Sequence, residues 1–95
     1  MRDLLMSQTT KENTRLNHYG DVLVKLHKKL KGNTVLYYLD IQFNNLQEIL
    51  SNIDVAILNC YGNNELLVEL IPYLNDTSFM IASFAGSLME LEEEM

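Results

Sequence analysis

The chain has 95 residues, of which 47% are hydrophobic, and a formal net charge of −6. This composition argues against intrinsic disorder and predicts one domain with a modest core, and the negative charge makes direct binding to nucleic acid or an anionic membrane unfavourable. The single cysteine, Cys60, excludes an internal disulfide, and there is no signal-peptide pattern or membrane-length apolar run, so we expect a cytoplasmic location.

The first predicted element is a helix that begins at Thr9. Thr9 and Glu12 have the spacing of a capping box, in which a hydroxyl and a carboxylate three residues apart bind free backbone amides. Apolar residues then recur at steps of three and four, as on one face of a helix: Leu16, Tyr19, Leu23, Leu26 and Leu30. Gly32-Asn33 predicts the end of this helix. Residues 1–8 are therefore expected to form a flexible lead-in, and residues 9–95 a single domain.

The middle of the chain has the most regular apolar spacing. Steps of three and four continue without interruption through Leu36, Leu39, Phe43, Leu46, Leu50, Ile53, Ile57 and Cys60. The segment Tyr61-Gly62-Asn63-Asn64 then predicts a turn followed by a helix N-cap. The same spacing returns in the last third, at Leu67, Leu70, Leu74, Ile81, Phe84, Leu88, Leu91 and Met95.

Two residues are expected to disturb the helices. Gly20 costs about 1 kcal/mol relative to alanine in a helix, and Pro72 should kink or break the helix that contains it. Because Asp76, Thr77 and Ser78 follow Pro72 and suit a helix start, a fresh helix is expected there. These signals favour an all-α fold, a small bundle of about four helices with heptad-like apolar stripes.

An α/β fold is the alternative. Residues 34–41, 54–60 and 78–84 are short apolar runs rich in β-branched and aromatic residues, which periodicity alone does not separate from buried strands. This reading predicts an N-terminal helix followed by a small three-stranded parallel sheet.

No residue pattern indicates catalysis. His18 and His27 are nine residues apart, so a helix places them on opposite faces and they cannot share one metal ion. Cys60 lies among apolar and acidic residues, where a reactive thiolate is disfavoured. Glu65 and Glu69 lie one helical turn apart, away from the apolar stripe. The sequence therefore predicts a protein that is not an enzyme and that has no catalytic, metal-binding or cofactor-binding residues.

The charges are segregated along the chain. All seven Lys and Arg residues lie at or before Lys31, and ten of the thirteen acidic residues lie after it. We expect basic and acidic side chains to pair within the chain or between two copies, and so to orient the helices. The residues predicted for this pairing are Lys25, Lys28, Lys29, Glu90, Glu93 and Glu94.

The chain carries more apolar residues than its predicted stripes use. In the middle these are Val35, Tyr37, Tyr38, Ile41, Ile49, Val55, Ala56 and Leu58. In the last third they are Leu66, Val68, Ile71, Tyr73, Phe79, Met80, Ala82 and Met89. Helices that are apolar on more than one side are central in a bundle or are covered by a partner. We therefore expect an interface, and the residues predicted to pack in it are Leu39, Phe43, Leu46 and Leu50, with Ile81, Phe84 and Leu88 opposite them.

These observations predict a non-catalytic protein–protein interaction module, such as a small subunit, an assembly factor or a regulator. It would act through oligomerisation or by binding a partner helix, so its partner is either a second copy or a protein with a basic surface. The alternative is an acidic inhibitor from a mobile genetic element, which would mimic DNA and occupy the basic nucleic-acid-binding groove of its target. The absence of Lys and Arg after Lys31 motivates this alternative.

Overall fold

Three helices make up the fold. The computed structural model describes residues 1–60 and 62–94, and within them the chain forms α1 (Arg2–Lys29), α2 (Thr34–Asn59) and α3 (Asn64–Glu93), with no strand. A 30-residue helix is about 45 Å long, and the molecule measures 48 × 18 × 16 Å. Each helix therefore runs the whole length, and the short connections make neighbours antiparallel. The all-α prediction is confirmed, the α/β alternative has no support, and the count of four helices is wrong.

The two connections between helices are built alike. Gly32 and Gly62 adopt φ values of 78° and 77°, which glycine tolerates without strain. An asparagine follows each glycine and caps the next helix: Asn33 Oδ1 accepts a hydrogen bond from the amide of Val35 at 2.8 Å, and Asn63 Oδ1 accepts one from Leu66 at 3.2 Å. The predicted helix end at Gly32-Asn33 and the predicted N-cap in the second turn are confirmed.

Tyr61, which belongs to the predicted second turn, lies outside the described residues, as does Met95, the last residue of the predicted apolar spacing.

Helix α1 begins earlier than the sequence predicts. It starts at Arg2, so residues 2–8 are helical where a flexible lead-in was expected. Leu5 is buried against α2 and α3, and this packing extends the helix toward the N-terminus. Thr9 is not a cap, because its hydroxyl donates to the carbonyl oxygen of Leu5 at 2.8 Å within the helix.

Helix α3 continues through Pro72, where a break was predicted. A proline in a helix interior costs about 3 kcal/mol, because it removes one hydrogen bond and crowds the preceding turn. Leu67 and Leu74, which lie on either side of Pro72, are each 1% exposed in the same apolar cluster. Their burial holds both sides of the proline in one line, so the fresh helix expected near Asp76 does not exist.

The interior contains two apolar clusters. The larger one occupies the end of the bundle where α1 meets α2, and its buried members are Leu16, Leu23, Leu26, Leu36, Leu39, Leu46, Leu50, Ile81, Phe84, Leu88 and Leu91. The smaller one occupies the opposite end, with Leu5, Ile53, Ile57, Leu67 and Leu74.

A layer of polar side chains separates these clusters along α1 and α3. This polar layer consists of Thr9, Glu12, Thr77 and Ser78, of which the first three are nearly inaccessible to solvent. The Glu12 carboxylate accepts a hydrogen bond from Ser78 at 2.9 Å, which joins α1 to α3. It also accepts from Arg15 Nη1 at 3.0 Å. Glu12 therefore stabilises the packing of two helices and does not form the predicted capping box.

The pairing with Glu12 also affects Arg15. Burial alone would lower the pKa of the Arg15 guanidinium, but the side chain of Tyr19 and the Glu12 carboxylate outweigh this effect and raise that pKa above its ordinary value. Arg15 therefore remains cationic beside the buried carboxylate. This matters because a buried carboxylate needs charge-assisted partners.

Candidate functional site

The residues predicted to form an interface lie inside the bundle. Six of them belong to the larger apolar cluster and are at most 5% exposed: Leu39, Leu46, Leu50, Ile81, Phe84 and Leu88. The seventh, Phe43, is partly buried against the same cluster. The structure thus brings the two predicted sets together, but within one chain. Residues this deeply buried contact a partner only if the bundle opens, so a binding surface must consist of other side chains.

The charged residues predicted to pair lie at one end of the bundle but do not form ion pairs. Helices α1 and α3 both end there, yet within residues 1–60 and 62–94 no ion pair joins Lys25, Lys28 or Lys29 to Glu90, Glu93 or Glu94. Instead, Arg15 pairs with Glu12 at 3.0 Å, and His27 contacts Asp40 at 2.8 Å. Glu90 and Glu94 lie on a different side of α3 from the lysines, because they border a groove between α2 and α3 to which α1 contributes no residue.

This α2–α3 groove is the candidate functional site. It consists of three adjoining depressions of about 290, 310 and 390 Å³. The first two share Gln42 and Ser87, and the last two share Ile49 and Met80, so the depressions follow one another along the bundle. On α2 the groove runs from residue 35 to residue 56, which corresponds to about 30 Å of helix.

The sequence spacing explains why these residues share a face. The α2 side of the groove takes residues at steps of three and four, which place side chains in one row of a helix: Val35, Tyr38, Gln42, Asn45, Ile49, Asn52 and Ala56. The α3 side continues through Leu70, Tyr73, Asp76, Met80, Ser83, Ser87, Glu90 and Glu94 in the same way. Each row lies beside the buried row of its helix, so the groove is the outer margin of the core.

Large apolar side chains remain exposed along this groove. Tyr38 and Tyr73 are 61% and 65% exposed, and Met80 is also exposed. Phe79, next to Met80, is the most exposed large apolar residue that the structure describes, at 78%. Single exposed apolar residues are ordinary on a protein surface, whereas several along one groove are a feature that interaction sites commonly have.

The groove differs in character along its length. Its middle is lined by short polar side chains, among them Asn45, Ser83 and Ser87. The part toward the α2 C-terminus is lined mainly by apolar atoms, including those of Ile49 and Leu70. The part toward the α3 C-terminus contains two carboxylates, Glu90 and Glu94. A ligand that follows the groove therefore meets an apolar end, a polar centre and an acidic end.

Few ionisable side chains line the groove. Asp76 is the one carboxylate that lines its apolar end in the described structure, and no histidine or cysteine lines any part of it there. Elsewhere in residues 1–60 and 62–94, no three His, Cys, Asp or Glu side chains lie close enough to hold a metal ion together. His27 lies outside the groove and contacts the Asp40 carboxylate at 2.8 Å, so this histidine connects α1 to α2.

The apolar residues around the groove are among those that the sequence marks as surplus to the predicted stripes. Tyr38, Ile49, Tyr73 and Met80 each precede a core residue by one position, so the sequence contains the signal for a second apolar face. The sequence does not show which of the two apolar faces of α2 and α3 packs against α1. The residues predicted to form the interface are on the face that α1 covers.

None of the helices that the structure describes is both long and apolar enough to cross a membrane. Comparison of the chain with protein-family models, with curated proteins and with solved structures finds no match.

Proposed function

We propose that this protein is a non-catalytic protein–protein interaction module and that the α2–α3 groove is its binding face. The observation that carries the proposal is an open groove about 30 Å long between α2 and α3, along which the large apolar side chains of Tyr38, Tyr73 and Met80 remain exposed. Grooves of this kind commonly receive an amphipathic helix, which lays its apolar face between the two receptor helices. A helix in this groove would complete a four-helix arrangement and cover Tyr38, Tyr73 and Met80. A small subunit, an assembly factor or a regulator would all use such a face.

Site-specific photo-crosslinking tests this proposal. A photoreactive phenylalanine analogue replaces Tyr38 or Met80 in the groove, or Val24 on α1, in cells that naturally produce the protein. Val24 is a matched control because it is also an exposed apolar residue on a helix. We expect irradiation to give an adduct heavier than the chain from the two groove positions but not from Val24. Adducts at Val24 alone, or at all three positions equally, would assign the binding face elsewhere.

An acidic inhibitor that mimics DNA is the second candidate. Its support is the surface of α2 and α3, whose described residues include no Lys or Arg. Several carboxylates there, such as Glu48, Glu65 and Glu69, are exposed. A mimic of the DNA backbone needs closely spaced negative charges, whereas on these two helices apolar and amide side chains separate the carboxylates.

Two sets of variants distinguish the candidates. Replacing Glu48, Glu65 and Glu69 together by Gln should abolish capture of a basic target by a DNA mimic and leave groove binding nearly unchanged. Met80→Ser should weaken groove binding and leave a DNA mimic unaffected. Comparing both variants with the wild-type protein in the same capture experiment therefore identifies the binding surface.

A further inference from the structure

We propose that the occupant of the α2–α3 groove is an amphipathic helix of a different protein, with Lys and Arg flanking its apolar face. This inference rests on the proposed function, since it names the partner of the same groove. The partner helix should carry apolar residues at steps of three and four for the floor of the groove, and cations on the side that faces α3, which supplies Asp76, Glu90 and Glu94.

The charges around the groove carry this inference. Asp76, Glu90 and Glu94 line the groove itself, and residues 32–95, which include all of α2 and α3, contain no Lys or Arg. A bound helix therefore has acidic side chains beside it and no basic one from its receptor helices. Oppositely charged pairs at the rim of an interface each contribute a little to affinity and more to specificity and association rate. Lys or Arg flanks fit this surface, and Asp or Glu flanks are repelled by it.

A second copy of this chain does not meet these requirements through its own groove. Two copies that join their grooves bring α2 and α3 of one against α2 and α3 of the other. Because α2 and α3 contain nine acidic residues and no basic one, such a dimer joins two acidic surfaces, and neither copy's α2 or α3 supplies a cation between them. Like charges across an interface are unfavourable.

The outer face of α1 is also a poor occupant, although it is basic. Among the described residues of α1, only Leu4 and Val24 are large, apolar and exposed, and twenty positions separate them. They do not form the stripe of apolar residues at steps of three and four that the floor of the groove requires. In this chain the exposed apolar stripes are on α2 and α3, whereas the basic residues of its helices are on α1. The helix that binds the groove needs both features, so it belongs to another protein.

The groove also predicts how the partner helix is directed. Glu90 and Glu94 lie at the end of the groove near the α3 C-terminus, whereas Ile49, Leu70 and Met80 lie toward its other end. The partner should carry its cations mainly at the first end and its largest apolar side chains at the second. Small or polar residues suit its centre, which faces Ser83 and Asn45.

A displayed peptide library tests the inference. The probe is a library of helices of about 20 residues, with apolar residues fixed at steps of three and four and all flanking positions randomised. It is selected on the immobilised full chain, and in parallel on Met80→Glu and Val24→Glu. Both substitutions change an exposed apolar residue to a carboxylate, so they leave the core intact, and circular dichroism verifies that both variants remain helical.

Peptides enriched on the wild type and on Val24→Glu, but not on Met80→Glu, are groove binders. We expect Lys and Arg to exceed Asp and Glu at their flanking positions by about threefold, which corresponds to about 0.6 kcal/mol, within the range of exposed ion pairs. Glu90→Lys combined with Glu94→Lys should reduce this preference at the corresponding end of the peptide. These results together support the inference.

Failure of the inference about the partner can be distinguished from failure of the proposed function. Groove binders without a preference for Lys and Arg would overturn the inference about the partner and leave the proposed function standing. No enrichment that depends on Met80 would overturn both. A stable dimer in sedimentation equilibrium that Met80→Glu dissociates would assign the groove to a second copy and overturn the heterologous partner.

Discussion

Gly20 of α1 and Phe43 of α2 pack so closely that a side chain at residue 20 has no room. A Cβ atom built on Gly20 would lie 2.6 Å from Cζ of the Phe43 ring. Phe43 also lies 6.2 Å from Phe84 of α3, measured between ring centroids. The glycine that appears in the sequence as a weak point of α1 is therefore the place where an aromatic ring from α2 approaches the backbone of its neighbour.

We expect Gly20→Ala to destabilise the protein, although alanine is the better helix former. The gain in helix propensity is about 1 kcal/mol, and overpacking against the Phe43 ring costs about 1–3 kcal/mol. The net loss in the free energy of unfolding should be about 1 kcal/mol, measured by urea denaturation.

Two comparisons test the cause of this loss. Gly86→Ala is the matched control, because nothing lies within 4 Å of a Cβ atom at that helical position, so it should increase stability by up to about 1 kcal/mol. Combining Gly20→Ala with Phe43→Leu should destabilise less than the sum of the two single changes. Additive effects would show that the two residues do not interact.

The polar layer should tolerate joint replacement by apolar residues better than loss of one partner. Ser78→Ala leaves the Glu12 carboxylate with one fewer donor, and we expect a loss of about 1–2 kcal/mol. Glu12→Leu combined with Ser78→Ala removes both partners, and it should be less destabilising than Ser78→Ala alone or even stabilising. Denaturation of both variants beside Lys11→Gln, an exposed position on α1, measures the difference. If the double variant is the least stable, the layer contributes net stability.

The two asparagine caps should contribute equally to stability. Asn33→Ala and Asn63→Ala each remove a side-chain acceptor from a helix start, so each should lower the free energy of unfolding by about 1 kcal/mol. Asn44→Ala, in the middle of α2 at an exposed position, should slightly increase stability because alanine favours the helix. Thermal unfolding followed by circular dichroism checks all three. Equal losses in all three variants would contradict the capping roles.

Neutralising the acidic end of α3 should stabilise the protein. Glu92 and Glu93 are exposed in the last turn, where the helix dipole disfavours negative charge by about 0.3–1 kcal/mol per residue. Glu92→Gln and Glu93→Gln should therefore raise the melting temperature at low salt, and added salt should reduce the increase. A lower melting temperature for Glu93→Gln would instead indicate the pairing with Lys28 or Lys29 that the sequence predicts.

Local sequence signals predicted the all-helical fold and the turns between helices, but not the number of helices. The glycine–asparagine turns at 32–33 and 62–63 are visible because both the φ requirement and the capping requirement are local. The helix break predicted at Pro72 was wrong because the energetic cost of a proline is visible in the local sequence. The burial of Leu67 and Leu74 that offsets this cost depends on the other two helices. The helix start at Arg2 was missed for the same reason, since burial of Leu5 is a tertiary effect.

The residues that the sequence assigns to packing lie inside the bundle, and other apolar residues of α2 and α3 are exposed. The excess of apolar residues in α2 and α3 indicated a second apolar face, and the structure has one along Tyr38 and Met80. Periodicity gives the angle of each residue around its own helix but not the side on which α1 packs. The polar contact between Glu12 and Ser78 spans 66 positions and leaves no local trace.

The contacts that fasten α1 lie on the side of the bundle away from the α2–α3 groove. Ser78 joins α1 to α3 through Glu12, and Asp40 joins it to α2 through His27. The two walls of the groove are thus held against a common third helix, so under the proposed function the groove is formed before a partner helix binds. The conformational entropy lost on binding should then come mainly from the partner helix. Making that helix rigid beforehand should therefore increase the affinity of the complex.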